Sequence, residues 1–151
     1  MADCQRFVIL SCPRTGSTHL VDYLEAIDGV RCLSEVFNER MVLLRHHRPV
    51  DPLLGDMGFR NANPMAFLAR LEEEIGDCGW FGFKLFPNQN LSLLQQLCAD
   101  RRWRKIFLWR DNLVEQYLSF LLAASHFGRK EWGRVPEESK FQAWTGDLIT
   151  D

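Results

Sequence analysis

The sequence predicts an α/β fold, a parallel sheet flanked by helices, and three observations carry that reading. Short, nearly continuous apolar runs recur along the chain, segments with apolar residues at helical spacing separate them, and Gly, Pro and Asn mark the boundaries. Alternation of buried strands with helices argues for crossover connections and a sheet covered on both faces. With 151 residues, 46% of them apolar and 25% charged, the chain suits one domain, residues 1–151, around one core.

The elements follow in order. Arg6 to Cys12 is apolar, branched and aromatic, which predicts a buried strand that ends at Pro13, with Cys12 as its buried last residue. After the turn Pro13-Arg-Thr-Gly16, Leu20, Tyr23, Leu24 and Ile27 predict the inward stripe of a helix over 17–28, stopped by Gly29. Val30 to Leu33 reads as a short strand, and Glu35 to Arg48 as a second helix or an irregular excursion. Asn63-Pro64 starts a helix whose apolar face runs from Met65 to Ile75, before Gly76. Trp80 to Phe86 reads as a strand, Leu91 to Cys98 as a helix and Lys105 to Trp109 as a strand. Leu113 to Phe127 reads as a helix with Leu113, Tyr117, Phe120, Leu121 and Ala124 inward; a polar loop, Arg129 to Lys140, then leads to a short terminal helix.

Charge narrows the function classes. The 18 basic and 20 acidic residues leave a net of −2, so no global positive field exists to hold nucleic acid or an anionic membrane. Any anion must be caught locally. No apolar stretch approaches the roughly 18 residues of a spanning helix. The start Met1-Ala-Asp-Cys-Gln-Arg6 lacks the features of a signal peptide, so a cytoplasmic, unexported protein is expected. Cys4, Cys12, Cys32, Cys78 and Cys98 are odd in number and widely spaced, which fits reduced thiols. His46 and His47 read as a solvated pair rather than zinc ligands.

The turn Cys12-Pro-Arg-Thr-Gly-Ser-Thr18 delivers a strand straight into a helix, whose first amides lack intrahelical partners and whose dipole favours an anion. Gly16 permits close backbone approach, Ser17 and Thr18 add hydroxyls, and Arg14 adds a planar fork suited to phosphoryl or sulfuryl oxygens. The same residues also fit an ordinary capped helix with a surface arginine. No Walker lysine is present, which disfavours a kinase, and the residue six beyond Cys12 is Thr18 rather than the arginine of a cysteine phosphatase. Arg110, at the end of another strand, and Ser119, on the helix that Asn112 can cap, form a second basic-hydroxyl pair. Taken alone, a surface arginine and a helix-packing serine explain that pair better than a second phosphate site does.

Three segments taken together, Pro13-Arg-Thr-Gly-Ser-Thr18, Ser34-Glu-Val-Phe-Asn38 and Trp109 to Ser119, resemble the sulfotransferases that use 3′-phosphoadenosine 5′-phosphosulfate (PAPS). The likeness is to the bacterial nodulation-factor and glycolipid branch, which also carries a piece like Gly82-Phe-Lys84, and it covers about residues 6–126. It implies a P-loop-like, nucleotide-kinase-like fold, incomplete at its C-terminus because relatives run longer. It implies that Arg14, Thr15, Gly16, Ser17 and Thr18 hold the phosphosulfate end of PAPS, and that Arg110 and Ser119 hold its 3′-phosphate. Arg14 would also stabilise the leaving phosphate oxygen, and Glu35 would be the general base, although an isolated glutamate is ordinarily a solvated carboxylate. The expected acceptor is a hydroxyl on a carbohydrate or glycolipid, with no metal required. A truncated or non-catalytic nucleotide-binding homologue is the alternative. Lys84 could face donor or acceptor, or snorkel to solvent; His19 and His126 are alternative bases.

Overall fold

The computed structural model describes residues 4–39, 42–45, 48–49 and 57–126. The elements run β1 (Gln5–Ser11), α1 (Ser17–Glu25), β2 (Val30–Leu33), β3 (Leu43–Arg45), β4 (Arg48–Pro49), α2 (Met57–Ala62), α3 (Pro64–Ile75), β5 (Trp80–Leu85), α4 (Leu91–Ala99), β6 (Trp103–Leu108) and α5 (Leu113–His126). The chain divides into two compact units, Met1–Asp111 and Asn112–Asp151.

The first unit is built on a four-stranded sheet in the order β2-β5-β1-β6. Every pairing in it is parallel, with Ile9 opposite Lys84 on one side and Ile106 on the other. The expected α/β class therefore stands. Because side chains alternate across a strand, Phe7 and Ile9 pack with Val21, Val30 and Cys32, so α1 covers that face. Val8 and Leu10 point the opposite way, into a larger cluster with Phe67 and Leu71 of α3 and Leu93 and Leu97 of α4. Phe67, Leu71, Leu93 and Leu97 are fully buried, and each contributes roughly 1.5–3 kcal/mol by leaving water.

Local chemistry explains the ends of these elements. Pro64 opens α3, and Gly76 follows its last residue with φ 75°. Asn90 caps α4 by accepting from the Leu93 amide at 2.9 Å. The Asp100 backbone sits between α4 and β6, and its carbonyl accepts from Lys105 Nζ at 2.6 Å.

Several expectations are corrected. Helix α1 stops at Glu25, so Ile27 lies beyond it, and Tyr23 faces solvent; Leu20 and Leu24 pack against the core as expected, joined by the buried Ser17 and Val21. Of the two alternatives for Glu35 to Arg48, the helix is not found among the described residues, which leaves the irregular excursion, in which Leu43–Arg45 and Arg48–Pro49 pair as short antiparallel strands. Helix α2 had no clear sequence signal, because one and a half turns are too short for periodicity. Cys12 is exposed, since β1 ends one residue earlier at Ser11.

The described part of the second unit is α5. Asn112 accepts from the Glu115 amide at 3.1 Å, so the expected cap is present. The expected inward stripe is not: Leu113 and Tyr117 are 70% and 61% exposed, whereas Ala123 is buried. Apolar residues occur all round this helix, so periodicity cannot select a face. The expected loop after Arg129 and terminal helix, with His46 and His47, lie outside the described residues. No helix among the described residues is long and apolar enough to cross a membrane.

Candidate functional site

The topology places a switch point at the carboxyl ends of β1 and β5. These neighbouring strands lead to α1 on one face and α4 on the other, so the loops leaving them diverge. Such switch points are where open α/β sheets collect ligands.

The loop leaving β1 has two residues in the left-handed region, Arg14 at φ 67° and Gly16 at φ 85°. Glycine adopts that conformation freely; arginine does so under strain. Thr15 Oγ1 donates to the Cys12 carbonyl at 2.9 Å and closes the turn. Gly16 precedes α1 without a side-chain cap, so the amides of the first helical turn remain directed outward from the helix. A Cβ built on Gly16 would meet no atom within 4 Å, so the space over this turn is open. Ser17 is buried and Thr18 half-buried.

Arg110 lies close enough to this loop for its charge to act on Arg14. Burial, and secondarily the charge of Arg110, push the Arg14 guanidinium below its ordinary pKa. Arg110 belongs to the first unit, at the end of the segment that follows β6; Ser119 is carried on α5 in the second unit.

Beside the loop lies a buried ion pair. Lys84 is 1% exposed on β5, and its Nζ is 3.1 Å from Glu35 Oε1 and 3.5 Å from Thr18 Oγ1. The ammonium also sits 5.1 Å from the centre of the Phe86 ring. The possibility that Lys84 snorkels is thereby excluded. Glu35 Oε2 accepts from Asn38 Nδ2 and Gln89 Nε2, each at 2.9 Å. A carboxylate offers roughly four lone-pair directions. Three are taken by Lys84, Asn38 and Gln89, which leaves one for a further donor.

The turn bearing Glu35 is itself clamped from behind. Arg60, 1% exposed, donates from Nη1 to the carbonyls of Val36 at 3.2 Å and Asn38 at 2.8 Å. Its guanidinium also lies 5.8 Å from the Phe37 ring centre, and burial lowers its pKa. The Ser34 carbonyl accepts from the amides of Lys84 and Val36, which anchors the Glu35 turn to β5. Ser11 Oγ and Ser34 Oγ, at the carboxyl ends of β1 and β2, are buried without a hydrogen-bond partner. These orphaned hydroxyls fit a region that has polar capacity in reserve.

The structure thus brings Thr18, Glu35 and Lys84 together, and sets Arg110 near enough to Arg14 for its charge to act on it. Sequence reasoning missed Gln89 and Arg60, and assigned Asn38 no role although it stands three residues after Glu35. His19 is exposed on α1 and makes no hydrogen bond to Glu35 or Lys84; the His126 side chain lies outside the described residues, as do Arg129 and Lys130. Among the described residues, no group of three His, Cys, Asp or Glu could hold a metal ion. Compared with known proteins, the chain matches no family model, no curated protein and no solved structure.

Proposed function

We propose that the protein transfers a sulfuryl group from PAPS to a hydroxyl acceptor on a carbohydrate or glycolipid. The observation that carries this reading is the buried Lys84 ammonium, 3.1 Å from the Glu35 carboxylate and 3.5 Å from the Thr18 hydroxyl beside the turn that carries Arg14 and Gly16. The open space over Gly16 and the two neighbouring guanidinium groups fit an anionic group there. The fold supports it too, because the turn stands at the switch point of a parallel sheet, as in P-loop-like proteins.

The donor supplies an activated sulfuryl group and a phosphate leaving group. Arg14 and the amides of Thr15, Gly16, Ser17 and Thr18 hold the phosphosulfate end, while Arg110 holds the 3′-phosphate. Thr15 serves through its amide, since its hydroxyl proton is given to Cys12. Glu35 accepts the proton of the attacking hydroxyl through its remaining lone-pair direction. As the new O–S bond forms and the bridging S–O bond breaks, Arg14 balances the charge that develops on the departing phosphate oxygen. Lys84 keeps Glu35 oriented throughout.

Thermal stabilisation tests the donor site directly. Adenosine 3′,5′-bisphosphate at 100 times its dissociation constant adds roughly 2.7 kcal/mol, whereas 5′-AMP and ATP at the same concentration add little. Transfer of labelled sulfate from PAPS to a panel of hydroxylated sugars and glycolipids then reads turnover. Preference for ATP with magnesium would replace this reading with a kinase; bisphosphate binding without transfer would reduce it to a nucleotide-binding homologue.

A further inference from the structure

We infer that Cys4 and Cys78 form a redox-modification site, in which an intramolecular disulfide staples the amino ends of β1 and β5. Their Sγ atoms are 3.1 Å apart, although the residues are separated by 74 positions. A disulfide needs about 2.05 Å, so the sulfurs must close by about 1 Å.

The backbone on either side holds them in register. Cys4 immediately precedes β1 and Cys78 lies two residues before β5, whose first pair is Gln5 opposite Trp80. The Gln5 amide donates to the Gly79 carbonyl at 2.9 Å, and the Gly79 amide donates to the Gly29 carbonyl at 2.8 Å. A Cβ on Gly79 would sit 3.4 Å from that Gly29 oxygen, so the strand is wedged closely between its neighbours. Next to the pair, Arg6 clasps Glu72 through Nε and Nη2, each 3.0 Å from a carboxylate oxygen. The two thiols therefore share a fixed frame, and no loop has to fold over to join them. All five cysteines lie in described residues, and the other three differ: Cys12 and Cys98 are exposed and Cys32 is buried.

The chemistry requires an oxidant, and a low-molecular-weight disulfide serves. The Cys78 thiolate attacks one sulfur of it, forming a mixed disulfide and releasing one small thiolate. The Cys4 sulfur, losing its proton, then attacks Cys78 Sγ and expels the second. Two protein thiols lose two electrons and two protons, and the small disulfide becomes two thiols. Burial and the adjacent Cys78 sulfur push the Cys4 thiol up to about 12, which marks Cys4 as the resolving partner rather than the first nucleophile. The staple lies at the opposite end of the strands from Lys84, so it constrains the sheet without entering the candidate site.

The test incubates the full reduced chain with oxidised glutathione and maps the cysteines by mass spectrometry after tryptic digestion. Expected is the Met1–Arg6 peptide joined to the Leu71–Lys84 peptide, two hydrogens lighter than the sum. Closure of so long a loop raises Tm by on the order of 10 °C, reversed by dithiothreitol. Cys4→Ser and Cys78→Ser each abolish the link and the Tm rise, with circular dichroism verifying that both variants fold. A lasting glutathione adduct on Cys78 in the unmutated chain, a link between any other pair, or a Tm rise that survives in Cys4→Ser would overturn the inference. None of these readouts uses PAPS or turnover, so its failure is separate from failure of the proposed function.

Discussion

Lys84 Nζ and Glu35 Oε1 meet at 3.1 Å with the lysine almost wholly removed from water, and the two halves of this pair are not equally supported. The glutamate has amide donors from Asn38 and Gln89 and remains 17% exposed. Among the described residues, the lysine has only the Thr18 hydroxyl at 3.5 Å and the Phe86 ring in addition. Removing one partner of a buried pair leaves an uncompensated charge. Glu35→Gln is therefore expected to destabilise by about 3 kcal/mol in urea unfolding, and Lys84→Met by less. The double variant Glu35→Gln/Lys84→Met is expected to be more stable than Glu35→Gln alone. Equal losses from the two single changes would show that the amides do not support the carboxylate.

A second prediction separates stability from binding at Arg14. Its φ of 67° places an arginine where glycine is at ease. Arg14→Gly relieves that strain, so the ligand-free protein should be no less stable and should gain up to about 1 kcal/mol. Loss of the guanidinium should meanwhile weaken adenosine 3′,5′-bisphosphate binding by on the order of 2 kcal/mol, about 30-fold, with a similar loss in Arg110→Ala. Calorimetric titration beside thermal melts reads both quantities. Retained affinity in Arg14→Gly would remove the side chain from the anion site.

The architecture was legible because β1 from Phe7 and β5 from Phe81 are buried on both faces, so Phe7–Leu10 and Trp80–Phe83 read as short apolar runs whatever they pack against. The turn at Arg14 to Thr18 was legible for a related reason: strand, glycine and helix follow within one short segment. The partners of Glu35 were not, since Gln89 reaches it across 54 positions and only the parallel order of β2 beside β5 brings them together. Lys84 shows the same limit. Its chemistry suggests solvent, yet strand alternation turns it to the face shared with Ile9 and α1, where the Glu35 carboxylate waits. The face of α5 was misread because its apolar residues have no period to follow.

Close packing beside the site yields a third prediction. Gly82 pairs with Phe7 on β1, and a Cβ at Gly82 would lie 2.4 Å from the Phe7 ring. Phe7 is only 4% exposed, so the ring has little freedom to retreat. Gly82→Ala is expected to cost about 1–3 kcal/mol by overpacking. Adding Phe7→Leu, which withdraws the ring, should recover part of that loss. Chemical denaturation of the single and double variants measures the coupling, and simple additivity would place the strain elsewhere.

The last prediction concerns alkaline pH. Burial, reinforced by the carboxylates of Glu25 and Asp22, pushes the Cys32 thiol up to about 12. Because the raised value belongs to the folded state, the protonated thiol stabilises the fold fully below the ordinary value of 9.0, and that contribution is lost as pH rises from there towards 12. The unfolded chain releases this proton first, so unfolding becomes easier with each step in pH. Melting temperature should accordingly fall above pH 9.0, and Cys32→Ala should flatten that limb while lowering stability at neutral pH through the lost packing. The same burial makes Cys32 slow to react with a thiol reagent at pH 8, when the exposed Cys12 and Cys98 are modified quickly. Modification of Cys32 at the rate of Cys98, or an alkaline limb unchanged in Cys32→Ala, would contradict the assignment.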